Sequence, residues 1–359
     1  MKFRQLVLVA AALHAAVIVP AWSQQPQDAL SAVRSHTDLT DEDRNQIRAF
    51  IAERIAELVG SDAALARDAG QTLRAGYTGT DAFKQAYAAA YIAACRSAYS
   101  KADVAAAARL LAILNTLGVV EAQPVFVEAL QDERVGIRAA GALGLKTLRA
   151  KLAQAGGDTF VSTLNALRDA AKKETARDAL RAMYAALNYG ELPAGPDLKP
   201  VTAALLDILE HRARLYAEPS PVPAFGADDV GLVAAEKLAR AMSDDERRRL
   251  TAVAATMVRR AIEDYVAADD KVRIAEVRDT DRADLVEMRN GLERLVLFGE
   301  RLLTTLLTPR KPPAVLEAMR KIDRAGMKVQ WREWVELLKV AVNQDFTLAE
   351  SPEGRRPGP

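Results

Sequence analysis

The chain has 359 residues, with 49 Lys and Arg against 48 Asp and Glu, three His and a single Cys. A near-neutral chain with both signs interspersed carries no electrostatic footprint for nucleic acid or an anionic membrane. One cysteine and so few histidines exclude an internal disulfide and a Cys/His zinc site within one chain.

Lys2 and Arg4 precede an apolar run from Leu6 to Val19, interrupted only by His14 and ended by Pro20. The run falls short of the roughly 20 apolar residues that span a bilayer. Ala21-Trp22-Ser23 then offers small residues at a cleavage point before Gln24. The pattern predicts a signal peptide over residues 1–23, and with it export to the periplasm or exterior of a Gram-negative-type bacterium. Cleavage would leave 47 basic and 48 acidic residues and no further long apolar segment. No integral membrane segment is therefore expected after cleavage.

The remaining sequence is rich in Ala, Leu, Arg and Glu, which lose little on entering a helix, and it shows no alternating strand pattern. An all-α fold is expected. Thr40 with Asp43 forms a capping-box pattern ahead of a helix over 41–59, with Ile47, Phe50, Ile51, Ile55 and Leu58 on one face. Gly60 stops it, and Ser61 is expected to cap a helix reaching Ala75. Thr80 caps the next, which carries Phe83, Tyr87, Tyr91, Cys95 and Tyr99 in an i+4 ridge. A helix over 104–117 follows, closed by Gly118, then the pairs 121–130 with 135–152 and 159–171 with 175–188. First helices of successive pairs start near 41, 81, 121, 159 and 198. That spacing of about 40 residues belongs to paired-helix arrays, in which one pair cannot bury its apolar face alone.

Beyond Gly190 the register loosens. Pro193, Pro196 and Pro200 lead into a helix ending near Tyr216, and Pro219, Pro221 and Pro223 mark a break. Helices are expected over 228–242, over 244–267 behind a Ser243–Glu246 capping box, and over 281–307, 314–324 and 329–343. The expected organisation is a helical-hairpin solenoid over 24–218, a longer-helix bundle over 226–346 and a disordered tail over 347–359.

Within this frame Pro124, Leu130, Asp132, Val135, Ala139, Ala140 and Ala142-Leu143-Gly144 stand out. This stretch resembles a HEAT repeat of the short kind related to the phycobilisome-lyase HEAT-like family, over one repeat at 124–148. Gly136 follows Val135, and the nearest basic residue is Arg138. The resemblance implies a HEAT-like superhelix and an interaction scaffold, with protein partners that it does not name.

Candidate chemistry is sparse. His211 lies one turn from Asp207, but no G-x-S-x-G elbow supplies a nucleophile. Asp228-Asp229 and Asp244-Asp245-Glu246 sit at expected helix starts, where the dipole favours negative charge. Asp279, Asp281 and Asp284 lack the glycine and the closing glutamate of a calcium loop. No catalytic, cofactor or metal site is expected. The candidates for partner binding are Tyr87, Tyr91 and Tyr99 on the ridge, and Trp331 with Trp334. The ridge suits either core packing or a ligand-stacking groove, and the tryptophans either pack the last helix down or anchor a partner.

The expected function is an exported, non-catalytic protein-interaction scaffold. Two other readings compete. A lytic transglycosylase-like envelope enzyme would need a catalytic Glu, often followed by Ser, and the only such pair is Glu350-Ser351 in the tail. A chaperone-like binder of exported chains would need exposed apolar helix faces.

Overall fold

The computed structural model describes residues 30–192, 197–276 and 282–348. The expected signal peptide, Pro193, Pro196, Asp279, Asp281 and the Glu350-Ser351 pair lie outside those residues. Among the described residues there are fifteen α-helices, a few 3-10 turns and no strand. No described helix is long and apolar enough to cross a membrane.

The helices are α1 (Asp41–Leu58), α2 (Ala63–Gly76), α3 (Asp81–Tyr99), α4 (Val104–Leu117), α5 (Gln123–Ala129), α6 (Val135–Ala155), α7 (Gly157–Lys173) and α8 (Arg177–Leu187). They continue as α9 (Lys199–Ala217), α10 (Asp228–Leu238), α11 (Asp244–Ala267), α12 (Asp270–Arg273), α13 (Ala283–Leu307), α14 (Val315–Arg320) and α15 (Arg324–Val342). Local chemistry sets most boundaries. The Thr40–Asp43 and Ser243–Glu246 capping boxes open α1 and α11. Gly118, at φ +60°, closes α4 in a left-handed cap that glycine adopts at no steric cost.

Most ends fall within a few residues of expectation, and three that differ have a visible cause. Ser61 does not cap α2; Asp62 does, accepting from the N–H groups of Ala64 and Leu65 at 2.8 and 3.1 Å. One carboxylate oxygen, Oδ1, takes both donors. The helix from Asp228 stops at Leu238 and tightens into a 3-10 turn over Ala239–Ala241, so that Met242 is extended as Ser243 takes the next cap position. The last helix begins at Arg324 rather than near 329, because Asp323 accepts from the Gly326 N–H at 2.8 Å.

Helices two apart in the chain pack side by side. α1 lies against α3, and α5, α7, α9 and α11 follow one another, with α15 on α11. The second helices form a matching succession, α2, α4, α6, α8 and α10, with α13 packed on both α10 and α11. Contacts cross the Pro219–Pro223 stretch, since α8 meets α10 and α9 meets α11. Between the two rows runs one apolar core from Leu30 to Phe346. Close approach relies on missing side chains: a Cβ on Gly144 would run into the Phe126 ring.

A buried ion pair within the core joins α8, α9 and α10. Arg212 is 1% exposed and Asp228 0%. The guanidinium donates to both Asp228 carboxylate oxygens at 2.9 and 2.8 Å, and to the Pro223 carbonyl at 2.6 Å. Tyr184 and Tyr216 donate their hydroxyls to the same carboxylate at 2.8 and 2.9 Å. Asp228 opens α10 as expected of it, and is at the same time a buried counter-ion.

Candidate functional site

The five aromatic candidates are not at the surface. Tyr87 and Tyr91 are fully buried in α3, donating to the Leu73 and Leu110 carbonyls at 2.7 and 3.0 Å. Tyr99 is buried at the end of the same helix. Trp331 and Trp334 are buried in α15, with their indole N–H groups on the Phe346 carbonyl and the Glu300 carboxylate at 2.9 and 3.1 Å. The ridge binds the first two helix pairs together, and the tryptophans hold the last helix down. Their polar tips satisfy carbonyls and carboxylates inside the fold, and of the two alternatives open for these residues they take the core-packing one.

The recurring polar feature is at the turns. Each of the first five second-row helices starts beside a carboxylate that accepts backbone N–H groups. Asp62 serves Ala64 and Leu65, Asp103 serves Ala106, Asp132 serves Arg134, Glu174 serves Thr175 and Ala176, and Asp229 serves Val230. These acids sit where helix N–H groups lack partners. Arginines link one turn to the next. Arg134 holds Asp132 and reaches back to the Tyr99 and Ala102 carbonyls at 3.2 and 2.6 Å. Arg138 donates to the Asp132 and Glu133 carbonyls and grips Glu174 with both Nε and Nη2, at 2.6 and 2.8 Å. Arg181 bonds the Gly226 carbonyl and Asp229, and Arg294 approaches Asp229 from α13.

The electrostatics follow the geometry. Arg134 holds the Asp132 carboxyl below its ordinary range, against the opposing effect of burial. Burial works against a charged Glu174, but Arg138 and the N–H groups of Ala176 and Thr175 outweigh it and keep the acid low. Asp132, Glu174 and Asp229 in this series are each paired with an arginine.

The other titratable candidates are also accounted for. His211 is half-buried on α9, where burial and nearby Arg214 and Lys172 lower its proton affinity. Its neighbour Asp207 is taken by Lys172 at 3.0 Å and Arg168 at 3.5 Å. Asp284 is exposed in the first turn of α13. Among the described residues no group of three or more His, Cys, Asp or Glu side chains could hold a metal ion.

A surface that sequence reasoning missed lies on the second-row helices. Leu65, Val104, Val135 and Leu143 are 51, 48, 41 and 46% exposed, on α2, α4 and α6. Between them are exposed Ala105, Ala112, Gly136 and Ala150. A Cβ on Gly136 would stand 3.6 Å from the Val104 side chain, so the starts of α4 and α6 are adjacent. The available signal was that the 14 residues of α4 and the 21 of α6 contain no Asp or Glu. Comparison with family models, curated proteins and solved structures finds no match.

Proposed function

We propose that the chain is an exported, non-catalytic protein-interaction scaffold built as a HEAT-like helical-hairpin solenoid. The observation that carries this reading is the regular reach of its polar contacts. Arg134 bonds Ala102, 32 residues back, and Arg138 bonds Glu174, 36 residues on. Lys172 meets Asp207 at a separation of 35, Gln123 meets Thr163 at 40, and Arg249 meets Glu210 at 39. Each separation is one helix pair, and side-by-side rows with one-pair linkages are the nearest-neighbour construction of a solenoid. Arg138 serves as the basic rung despite standing three places beyond Val135, because its two donors span from its own turn to Glu174 of the next.

The scaffold reading is favoured over an envelope enzyme by the acids at the turns, Asp132, Glu174 and Asp229, which are spent on helix starts and arginines. The test is capture from periplasmic extract with the processed chain, together with a peptidoglycan-hydrolysis assay. Specific capture without hydrolysis is the expected result. Release of muropeptides by the pure protein would overturn it. Export is checked separately: N-terminal sequencing of the secreted or periplasmic form should begin at Gln24.

A further inference from the structure

We infer that the solvent face of α2, α4 and α6 docks an acidic, apolar-anchored segment of another protein. The inference rests on the scaffold reading and adds to it a place and a partner chemistry.

The three helices lie in sequence along one row, α2 against α4 and α4 against α6. Their outward sides therefore form one surface. Leu143 is at the middle of the outward side of α6, with Gly136, Ala139 and Ala150 sharing that side. Val104, Ala105, Ala108 and Ala112 do the same on α4. Leu65 adds an apolar point on α2. Small residues between a few large ones leave shallow relief in which another chain can lie.

Over α4 and α6 the charge on this surface has one sign. Arg109 on α4 and Lys146 on α6 are exposed and pair with no carboxylate among the described residues. Lys151 is exposed and donates only to the Gly118 carbonyl. The carboxylates at the margin are largely spent, Asp103 on the N-terminus of α4 and Asp132 on Arg134. Asp68 stands exposed beside Arg67 on α2, and Glu133 is exposed in the turn before α6. The chain as a whole is balanced, at 49 basic against 48 acidic residues, so an acid-free face over α4 and α6 is a local arrangement. Unpaired cations around apolar contacts select a partner with Asp and Glu flanking apolar residues. A membrane surface is the less suitable occupant. Faces that insert into bilayers carry Trp, Phe or many Leu beneath a dense basic rim, whereas this one exposes no aromatic side chain and is mostly alanine.

The experiment places a photo-crosslinking residue at Leu143 in the full chain, and in a parallel protein at Ser162, which is exposed on α7. Both are irradiated in cells, and the adducts are identified by mass spectrometry. Adducts at 143 should map to segments of net negative charge with apolar residues at helical spacing. They should be lost in the Arg109→Glu, Lys146→Glu double variant, whose melting curve should match the parent. Adducts at 143 to phospholipid or to non-acidic segments, or adducts indifferent to the charge reversal, would overturn the inference and leave the scaffold standing. Adducts at 162 alone would do the same. Absence of adducts at both positions would count against the surface and the scaffold together.

Discussion

Arg212 and Asp228 show how much a single pair can decide when it is out of water. Burial alone would weaken the Arg212 cation, but Asp228 outweighs it and the arginine stays charged. Burial also raises the proton affinity of Tyr184 and Tyr216, with Asp228 adding to it, so both keep the hydroxyl hydrogens that they donate. Removing one member of such a pair strands the other. Arg212→Met should cost about 3–5 kcal/mol in urea unfolding, whereas Arg96→Met, at the exposed Arg96–Glu128 pair, should cost under about 1 kcal/mol. Equal costs would mean that the Arg212 site is wet. Glycines give a second contrast at this scale. Gly144→Ala forces the Phe126 ring to move and should destabilise by about 1–3 kcal/mol. Gly136→Ala meets only ordinary contact with Val104 and should be neutral or stabilising by up to about 1 kcal/mol. The small residues of Ala142-Leu143-Gly144 were legible in the sequence as a close-approach site. The partnership of Asp228 with Arg212 was not, because helix-start acids are common and nothing local singles out an arginine sixteen residues earlier.

Helices with strong local signals were legible nearly to the residue. Thr40, Thr80 and Ser243 each opened a helix where the cap pattern placed it. The helices near the C-terminal end were harder to read, because their ends are set by distant groups. Glu300, on α13, accepts from the first N–H groups of α14, Val315 and Leu316, at 2.9 and 3.0 Å, and from the Trp334 indole at 3.1 Å. One side chain thus ties three helices, and no spacing rule announces it. Burial raises the proton affinity of this carboxyl, against the pull of the three N–H donors. The folded chain therefore holds the proton more tightly than the unfolded one. Its contribution to stability is full below the ordinary value of 4.5 and is lost as pH rises through the raised value. The melting temperature of the parent relative to Glu300→Gln should accordingly rise as pH is lowered from 7 toward 4.5. A difference that stays constant over that range would show that Glu300 titrates as an exposed acid does.

At the scale of the whole molecule, the spacing of first helices was legible from turn residues alone, and they begin at 41, 81, 123, 157 and 199. Contact across the proline-rich stretch was not legible, because prolines report only that a helix cannot continue. Arg212 bonds the Pro223 carbonyl, Arg181 that of Gly226, and Arg260 those of Glu218 and Ser220. A chain ended at Glu218 would uncover the faces that α8 and α9 present to α10 and α11, and would leave Arg212, Tyr184 and Tyr216 without Asp228. It should aggregate or melt without a sharp transition, whereas the full chain should give one cooperative transition by calorimetry. A soluble, sharply melting fragment would instead show that the first nine helices are self-sufficient. The buried thiol of Cys95 gives a way to watch such openings as they happen. It is 0% exposed, and burial pushes its pKa up to about 12. The nucleophilic thiolate is therefore almost absent at neutral pH while the helices stay packed. Since the chain has no other cysteine, alkylation by iodoacetamide becomes a stopwatch for the N-terminal helix pairs, and its rate counts how often they come apart in the otherwise native protein.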